Sequence, residues 1–288
     1  MKRFIPIEYY VSIEKDEIKK ELKCCNTRPR LGAIYFGDNP ASDSYIKGIR
    51  KDCDELGYEF IAIKVKPSLA NSYVVRTYID SLDKILSVHG IIIQKPLPDS
   101  VNLSVFDLIN PGKDVDGAGK DSIFYPCTPL GVINYLKFNG YRFEGKNACV
   151  IGRSDTVGKP LAKMLLDLNC TVTICHSKSD LRRTLTSPLM SSFPYQDIIF
   201  TCIDKIEFFD ESYFAPTQDV IDIGLGIGKD GKLHGNLTEE AYIHQKEYTG
   251  LHNSVVISGV GGTGLLTRLE LLKNTFKAFK LDQRALTN

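Results

Sequence analysis

Two periodicities of apolar residues alternate along most of the chain. Residues 31–37 form a short apolar run ending in a glycine turn, which predicts a strand. Over residues 41–56 the apolar positions recur at helical spacing, and Gly57 stops the pattern. Residues 58–65 predict a second strand and residues 72–88 a second helix. Ile91-Ile92-Ile93 predicts a strand buried on both faces. The alternation resumes further on. A helix is expected over 129–138, capped by Thr128 with Pro129 at its first position. Strands are expected over 147–152, 171–175, 197–202 and 219–223, a helix over 158–168, and a last long helix from about Gly264 to Lys280. Solid apolar strands alternating with helices predict an α/β protein with parallel sheets covered on both faces.

The polar stretch 111–122, broken by glycine and proline, is the candidate boundary between domains. It suggests an N-terminal α/β domain over 1–119, joined by a returning C-terminal helix over 270–288, and a Rossmann-type dinucleotide-binding domain over 120–269. With 288 residues, 43% of them hydrophobic, the chain is long enough for two cores.

Charge adds little. Thirty-six basic against 35 acidic side chains give a net charge of +1, so neither nucleic acid nor an anionic membrane is an expected partner. No apolar run approaches the roughly 20 residues of a membrane span. The opening Met1-Lys2-Arg3-Phe4-Ile5-Pro6 lacks the apolar stretch of a secretory leader, and a cytoplasmic location is expected. The eight cysteines contain no C-x-x-C pair, and most lie in apolar runs, as reduced buried thiols do. Cys175 stands beside His176, but nothing else clusters with them at ligand spacing, so no metal is assigned.

Residues 148–160, Ala-Cys-Val-Ile-Gly-Arg-Ser-Asp-Thr-Val-Gly-Lys-Pro, read as strand, tight turn and helix. A dinucleotide site needs this arrangement: glycine admits the pyrophosphate to the backbone, and the helix start offers free N–H groups and a positive dipole end. The spacing is not G-x-G-x-x-G, because Arg153-Ser154 follows Gly152, and an ordinary strand–helix turn would share it. The next strand adds a contrast. An NAD enzyme carries an acid about 20 residues on, for the ribose hydroxyls. Here stands Cys175-His176-Ser177-Lys178, with Arg153 available from the first turn. That set welcomes a ribose phosphate and favours NADP over NAD; the alternative is solvated surface charge. A second cluster, Gly259-Val260-Gly261-Gly262-Thr263-Gly264, has four glycines in six residues and suggests close backbone approach to a ligand, or a hinge.

Further segments carry a resemblance. Gly37-Asp38-Asn39-Pro40-Ala41-Ser42-Asp43-Ser44-Tyr45, Gln94-Lys95-Pro96-Leu97-Pro98, Pro111-Gly112-Lys113-Asp114-Val115-Asp116-Gly117 and Pro126-Cys127-Thr128-Pro129-Leu130-Gly131 are similar to signatures of the methylenetetrahydrofolate dehydrogenase/cyclohydrolase family. So are Gly152 to Pro160, Cys175-His176-Ser177-Lys178, and Gly261-Gly262-Thr263-Gly264 with Thr267, all in family order. The resemblance implies hydride transfer from methylene-tetrahydrofolate to NADP and, in most members, hydrolysis of the methenyl product at the same site. It implies that Tyr45 stacks on the folate rings, that Gln94 bonds near the reacting centre and that Asp116 holds the pterin edge. It places the cofactor against Gly152, Arg153, Ser154, Val157, Gly158, His176, Ser177, Gly261 and Gly262, with Arg153 and Ser177 on the ribose phosphate. It also implies a homodimer through the nucleotide domain.

One departure bears on the chemistry. The family pattern Y-x-x-x-K puts the acid–base lysine of the hydrolytic step four residues after the tyrosine. Here that position is Ile49, which can neither give nor take a proton. At about 100° per residue, position 49 lies roughly 40° from Tyr45, whereas Lys47 and Lys51 lie roughly 200° and 240° round. Dehydrogenase activity is therefore expected, and cyclohydrolase activity is expected to be weak or lost. Lys95 in a usually apolar motif, Gly235-Asn236-Leu237 for G-D-V, and Val256-Ile257-Ser258-Gly259-Val260 for a proline-rich segment are softer departures. Two other readings remain: a different Rossmann dehydrogenase, such as one acting on a cyclic hydroxy acid, and a non-catalytic folate- and nucleotide-binding relative.

Overall fold

The computed structural model describes residues 4–37, 39–186, 195–252 and 254–287. The chain divides into two units, Tyr9–Cys127 with Arg268–Asn288, and Thr128–Thr267 with Met1–Glu8.

The first unit holds α1 (Ile7–Leu22) from Tyr9 onward, β1 (Arg30–Phe36), α2 (Pro40–Leu56), β2 (Glu59–Val65), α3 (Ser72–Asp83) and β3 (Gly90–Ile93). Its sheet runs β2-β1-β3, all parallel, with Ala33 opposite both Ala62 and Ile92. Parallel strands need covered faces. Successive strand residues accordingly feed two cores. Leu31, Ala33 and Ile92 pack with Ile46, Ile49 and Cys53 of α2, and Ile34, Ile91 and Ile93 pack with Val75, Ile79 and Leu82 of α3.

The second unit holds α4 (Cys127–Phe138) from Thr128 onward, β4 (Asn147–Ile151), α5 (Gly158–Asp167), β5 (Thr171–Cys175), α6 (Leu181–Thr186), β6 (Ile198–Thr201), β7 (Asp219–Asp222), the hairpin β8 (Gly226–Ile227) and β9 (Leu233–His234), α7 (Glu239–His252) and β10 (Val256–Ile257). Its sheet runs β10-β7-β6-β4-β5, again all parallel. The chain steps from β4 to β5 on one side, then crosses to β6 on the other. A doubly wound sheet binds ligands outside the carboxyl ends of its strands at such a reversal. The last helix, α8 (Gly264–Thr287), belongs to the first unit from Arg268 onward.

Three expected helices differ in extent. The helix expected to reach residue 88 stops at Asp83, and the backbone turns through Lys84 to Val88 before β3. The helix expected to begin at Pro129 begins at Cys127, so Thr128 lies inside it and is not its cap. The last helix runs past Lys280 to Thr287. The pattern also passes over α1, whose buried face is only Tyr10, Lys15, Ile18 and Leu22 in a lysine- and glutamate-rich stretch, and over the polar α7. Among the described residues no helix is long and apolar enough to cross a membrane.

Candidate active site

In the first unit the candidate residues gather around α2. Asn39 starts that helix: its Oδ1 accepts the Ala41 N–H at 2.9 Å and the Ser42 N–H at 3.2 Å, and Pro40 needs no partner at the first position. Asp38 of the same motif lies outside the described residues. Tyr45, in the second turn, is partly buried against the α2–α8 core. Burial pushes its phenol far up, helped by the Asp116 carboxylate and the Cys127 thiol, while Arg268 pulls the other way. Tyr45 therefore stays a neutral ring with a hydroxyl.

Ile49 is 1% exposed and packs in the same core, whereas Lys47 and Lys51 face solvent on an unbroken helix. Gly48 lies in the regular run of α2 and makes room. A Cβ there would stand 3.0 Å from Arg268 Nη1. Arg268 Nε donates to Asp52 Oδ2 at 2.7 Å, and Asp52 Oδ1 accepts from Lys15 Nζ at 2.7 Å. A fixed cation thus lies along the α2 face that carries Tyr45.

Gln94 extends β3. Its N–H donates to Ile34 O at 2.8 Å, and its side-chain Nε2 donates to the Lys95 carbonyl at 2.8 Å. The Ser42 hydroxyl reaches the same carbonyl at 3.4 Å, which ties this segment to the first turn of α2. The Lys95–Pro96 peptide is cis.

Asp116 sits in a loop with few freedoms. Asp114, 1% exposed, accepts the Ala118 and Gly119 N–H groups. Gly117 has φ +68°, and a Cβ there would stand 2.5 Å from the Tyr125 carbonyl carbon, so only glycine fits. The Asp116 carbonyl accepts the Cys127 N–H at 3.2 Å. Burial, then Asp114, pushes the Asp116 carboxyl from 3.8 up to about 6, while Lys95 and the Cys127 thiol draw it back. The carboxylate is ionised at neutral pH and short of partners of its own, which suits an amide or amine edge presented by a ligand.

In the second unit the candidate residues follow β4. Gly152, at φ +126°, donates its N–H to Cys175 O at 2.9 Å. A Cβ on it would lie 2.3 Å from Cys202 O, and a Cβ on Gly158 would lie 2.2 Å from Gly152 O. Both glycines are needed for the turn to close against β6 at the reversal point. The Ser154 hydroxyl accepts the Val157 and Gly158 N–H groups at 3.2 and 3.3 Å, so Ser154 and Val157 build the start of α5. The His176 Nδ1 accepts the Lys178 N–H at 3.2 Å, which folds the ring back over the end of β5. Arg153, Ser177 and Lys178 are exposed. The nearest acid past β5, Asp180, spends its Oδ1 on the Arg183 N–H at the start of α6. Gly261, at φ +73°, is exposed with open space where a side chain would stand, and buried Gly262 packs near Ile7. This surface of glycine backbone, cation and hydroxyl, with no acid among the four residues that follow β5, fits a dinucleotide with a phosphorylated ribose.

Three further residues surround the folate-like motifs: Cys127, Arg268 and Asn274. The sequence reading gives none of them a role. The available signal was polar residues on the apolar face of the last helix, where Glu270 and Asn274 are buried among Leu269, Leu271, Leu272 and Phe276.

Residues 10–116 match the tetrahydrofolate dehydrogenase/cyclohydrolase catalytic domain, and residues 126–283 match the NAD(P)-binding domain of the same family. The bifunctional protein FolD of Ruminiclostridium cellulolyticum is 37% identical over 274 residues, 91% of this chain and 90% of that protein. Among solved structures, the FolD methylenetetrahydrofolate dehydrogenase/cyclohydrolase of Campylobacter jejuni superposes with a TM-score of 0.82 at 30% identity, covering 94% of this chain and 96% of its own. A 5,10-methylenetetrahydrofolate dehydrogenase of the silkworm Bombyx mori does so with a TM-score of 0.79 at 27% identity, covering all of both chains. With both of its units matched in order and a relative aligned over nine-tenths of its length, the chain belongs to the tetrahydrofolate dehydrogenase/cyclohydrolase family.

Proposed function

We propose that this protein oxidises methylene-tetrahydrofolate to methenyl-tetrahydrofolate with NADP, and that it carries little of the cyclohydrolase activity found alongside that step in bifunctional relatives. Bound NADP supplies the hydride acceptor. The protein's part is orientation, since hydride transfer depends on holding donor and acceptor face to face. Tyr45 offers a neutral aromatic face for the folate rings. Asp116 accepts from the pterin's amino and amide N–H groups through charge-assisted bonds. Gln94, with its carboxamide oxygen turned from Lys95, bonds near the reacting carbon. Gly152, Gly158, Gly261 and Gly262 bring backbone close to the dinucleotide, with Ser154, Val157 and His176 shaping the turns around it. Arg153 and Ser177 take the ribose phosphate.

The observation that carries the second half is Ile49. Hydrolysis needs a group that activates water and passes a proton. An isoleucine buried in the core does neither, and Lys47 and Lys51 are exposed elsewhere on the helix. Arg268 brings charge to this face, but a guanidinium stays protonated and is no base.

Both steps are measured on one preparation, with NADP and NAD compared. The reading predicts NADP-dependent formation of methenyl-tetrahydrofolate and its disappearance near the uncatalysed rate. Fast hydrolysis would refute the second half, and absence of any nucleotide-dependent oxidation the first.

A further inference from the structure

The Asp116 loop is held from outside by one backbone carbonyl. Val115 O, on a residue with no exposure, accepts two donors: the Asn274 Nδ2 of α8 at 2.9 Å and the Cys127 Sγ at 3.2 Å. Asn274 is 7% exposed, and its Nδ2 also lies 3.5 Å from Cys127 Sγ, so amide, thiol and carbonyl form a closed triangle. Burial and the neighbouring Asp116 carboxylate keep the thiol protonated, and its one S–H has two acceptors within reach, the Val115 carbonyl and the Asp116 carboxylate. The next peptide is caught as well, through Cys127 N–H to Asp116 O at 3.2 Å. Val115 and Asp116 are adjacent, so fixing the first carbonyl fixes the peptide plane from which Asp116 projects. Gly117, at φ +68°, passes so close to the Tyr125 backbone that a Cβ there would stand 2.5 Å from its carbonyl carbon.

We infer that Asn274 is a positioning residue for the reaction: with Cys127 it clamps the Val115 carbonyl and so aims Asp116 at the folate. The inference rests on the reading of Asp116 as the folate-binding acid. Asn274 touches neither substrate nor cofactor in this account; it acts through the loop. A misaimed carboxylate weakens substrate binding without altering the nucleotide surface, which belongs to the other unit. Loss of one donor leaves the carbonyl a second. Loss of both orphans a buried acceptor and frees the loop, so the two changes are coupled.

The test is steady-state oxidation of methylene-tetrahydrofolate by NADP, with both KM values and kcat determined for Asn274→Leu, Cys127→Ala, Cys127→Ser and the Asn274→Leu/Cys127→Ala pair. The folate KM is expected to rise about tenfold in Asn274→Leu and about threefold in Cys127→Ala, and in the pair by more than the product of the two. Cys127→Ser, which keeps an O–H donor, is expected to stay close to the parent. The NADP KM should move less than twofold in all of them. Equal folate KM values for Cys127→Ala and Cys127→Ser, or folate and NADP KM values rising together, would overturn the inference. Where Asn274→Leu does not fold, Asn274→Ala takes its place in the same assays, and a folate KM equal to the parent's there would overturn the inference. Asp116→Asn separates the two levels: an unchanged folate KM there removes the underlying reading, whereas a raised KM there with no effect at Asn274 removes only the clamp.

Discussion

Beside the nucleotide surface, candidate residues are set by backbone: Gly152 and Gly158 meet neighbouring carbonyls at distances no Cβ tolerates, and Arg153, Ser177 and Lys178 stand outward in solvent. Around Asp116 and Tyr45 the order is reversed. There, buried and half-buried side chains from α1, α2, α4 and α8 hold one another and the loop after β3: Lys15 to Asp52, Asp52 to Arg268, Asn274 and Cys127 to the Val115 carbonyl. A glycine turn tolerates change in the side chains around it and none in its own backbone. A web of side chains tolerates little change at any of its members, because each buried polar group left unpaired costs about 1–3 kcal/mol.

That contrast can be broken most sharply at Asp116. Asp116→Asn keeps the shape and removes the charge. Losing charge-assisted bonds worth about 2–3 kcal/mol should raise the folate KM about a hundredfold, with the NADP KM unchanged in the same assays. The counterpart in the other unit is Gly152→Ala. A methyl at φ +126° facing Cys202 O should weaken NADP binding at least tenfold and lower the melting temperature, with folate binding by the folded fraction preserved; titration of each ligand separately reads this. Ser177→Asp places an acid at the end of β5. It should lower the ratio of NADP to NAD efficiency about tenfold, measured as kcat/KM with each.

Smaller effects sharpen the comparison. With the Asp116 carboxyl raised from 3.8 to about 6, its charged form is lost as pH falls through about 6. The folate KM should climb below that pH and the NADP KM should not, and Asp116→Asn should flatten the profile. The stability linkage has the opposite sense. A carboxyl with a raised folded pKa favours the folded state below about 4, and that contribution is lost as pH rises through about 6. Ile49→Lys should raise methenyl-tetrahydrofolate hydrolysis severalfold, at the cost of a lower melting temperature because the side chain enters an apolar core.

The same contrast governs what could be read without a structure. Strand positions and the turn at Gly152 were legible because parallel strands are written as apolar runs, and a closed turn is written as glycine at fixed spacing. Helix ends were less so: α3 stops at Asp83 although its apolar spacing continues beyond, and α4 starts at Cys127 although Thr128-Pro129 has the composition of a cap. The side-chain web left only fragments. Tyr45, Gln94 and Asp116 were found through resemblance to a family, since a tyrosine, a glutamine and a turn aspartate are unremarkable alone. Arg268 and Asn274 were not found at all, because a partner more than a hundred residues away leaves no local pattern.

Gly48 has a consequence beyond this one molecule. A methyl at that position would stand 3.0 Å from Nη1 at the tip of the Arg268 side chain, which would have to give by a few tenths of an ångström while its Nε holds Asp52 at 2.7 Å. Positions 48, 52 and 268 are thus joined by a constraint that ignores their distance along the chain. Lys47 and Lys51 face solvent and are free to drift. Among close relatives the first three positions should covary, with glycine retained at 48 wherever the arginine–aspartate pair is kept, while 47 and 51 change independently of them.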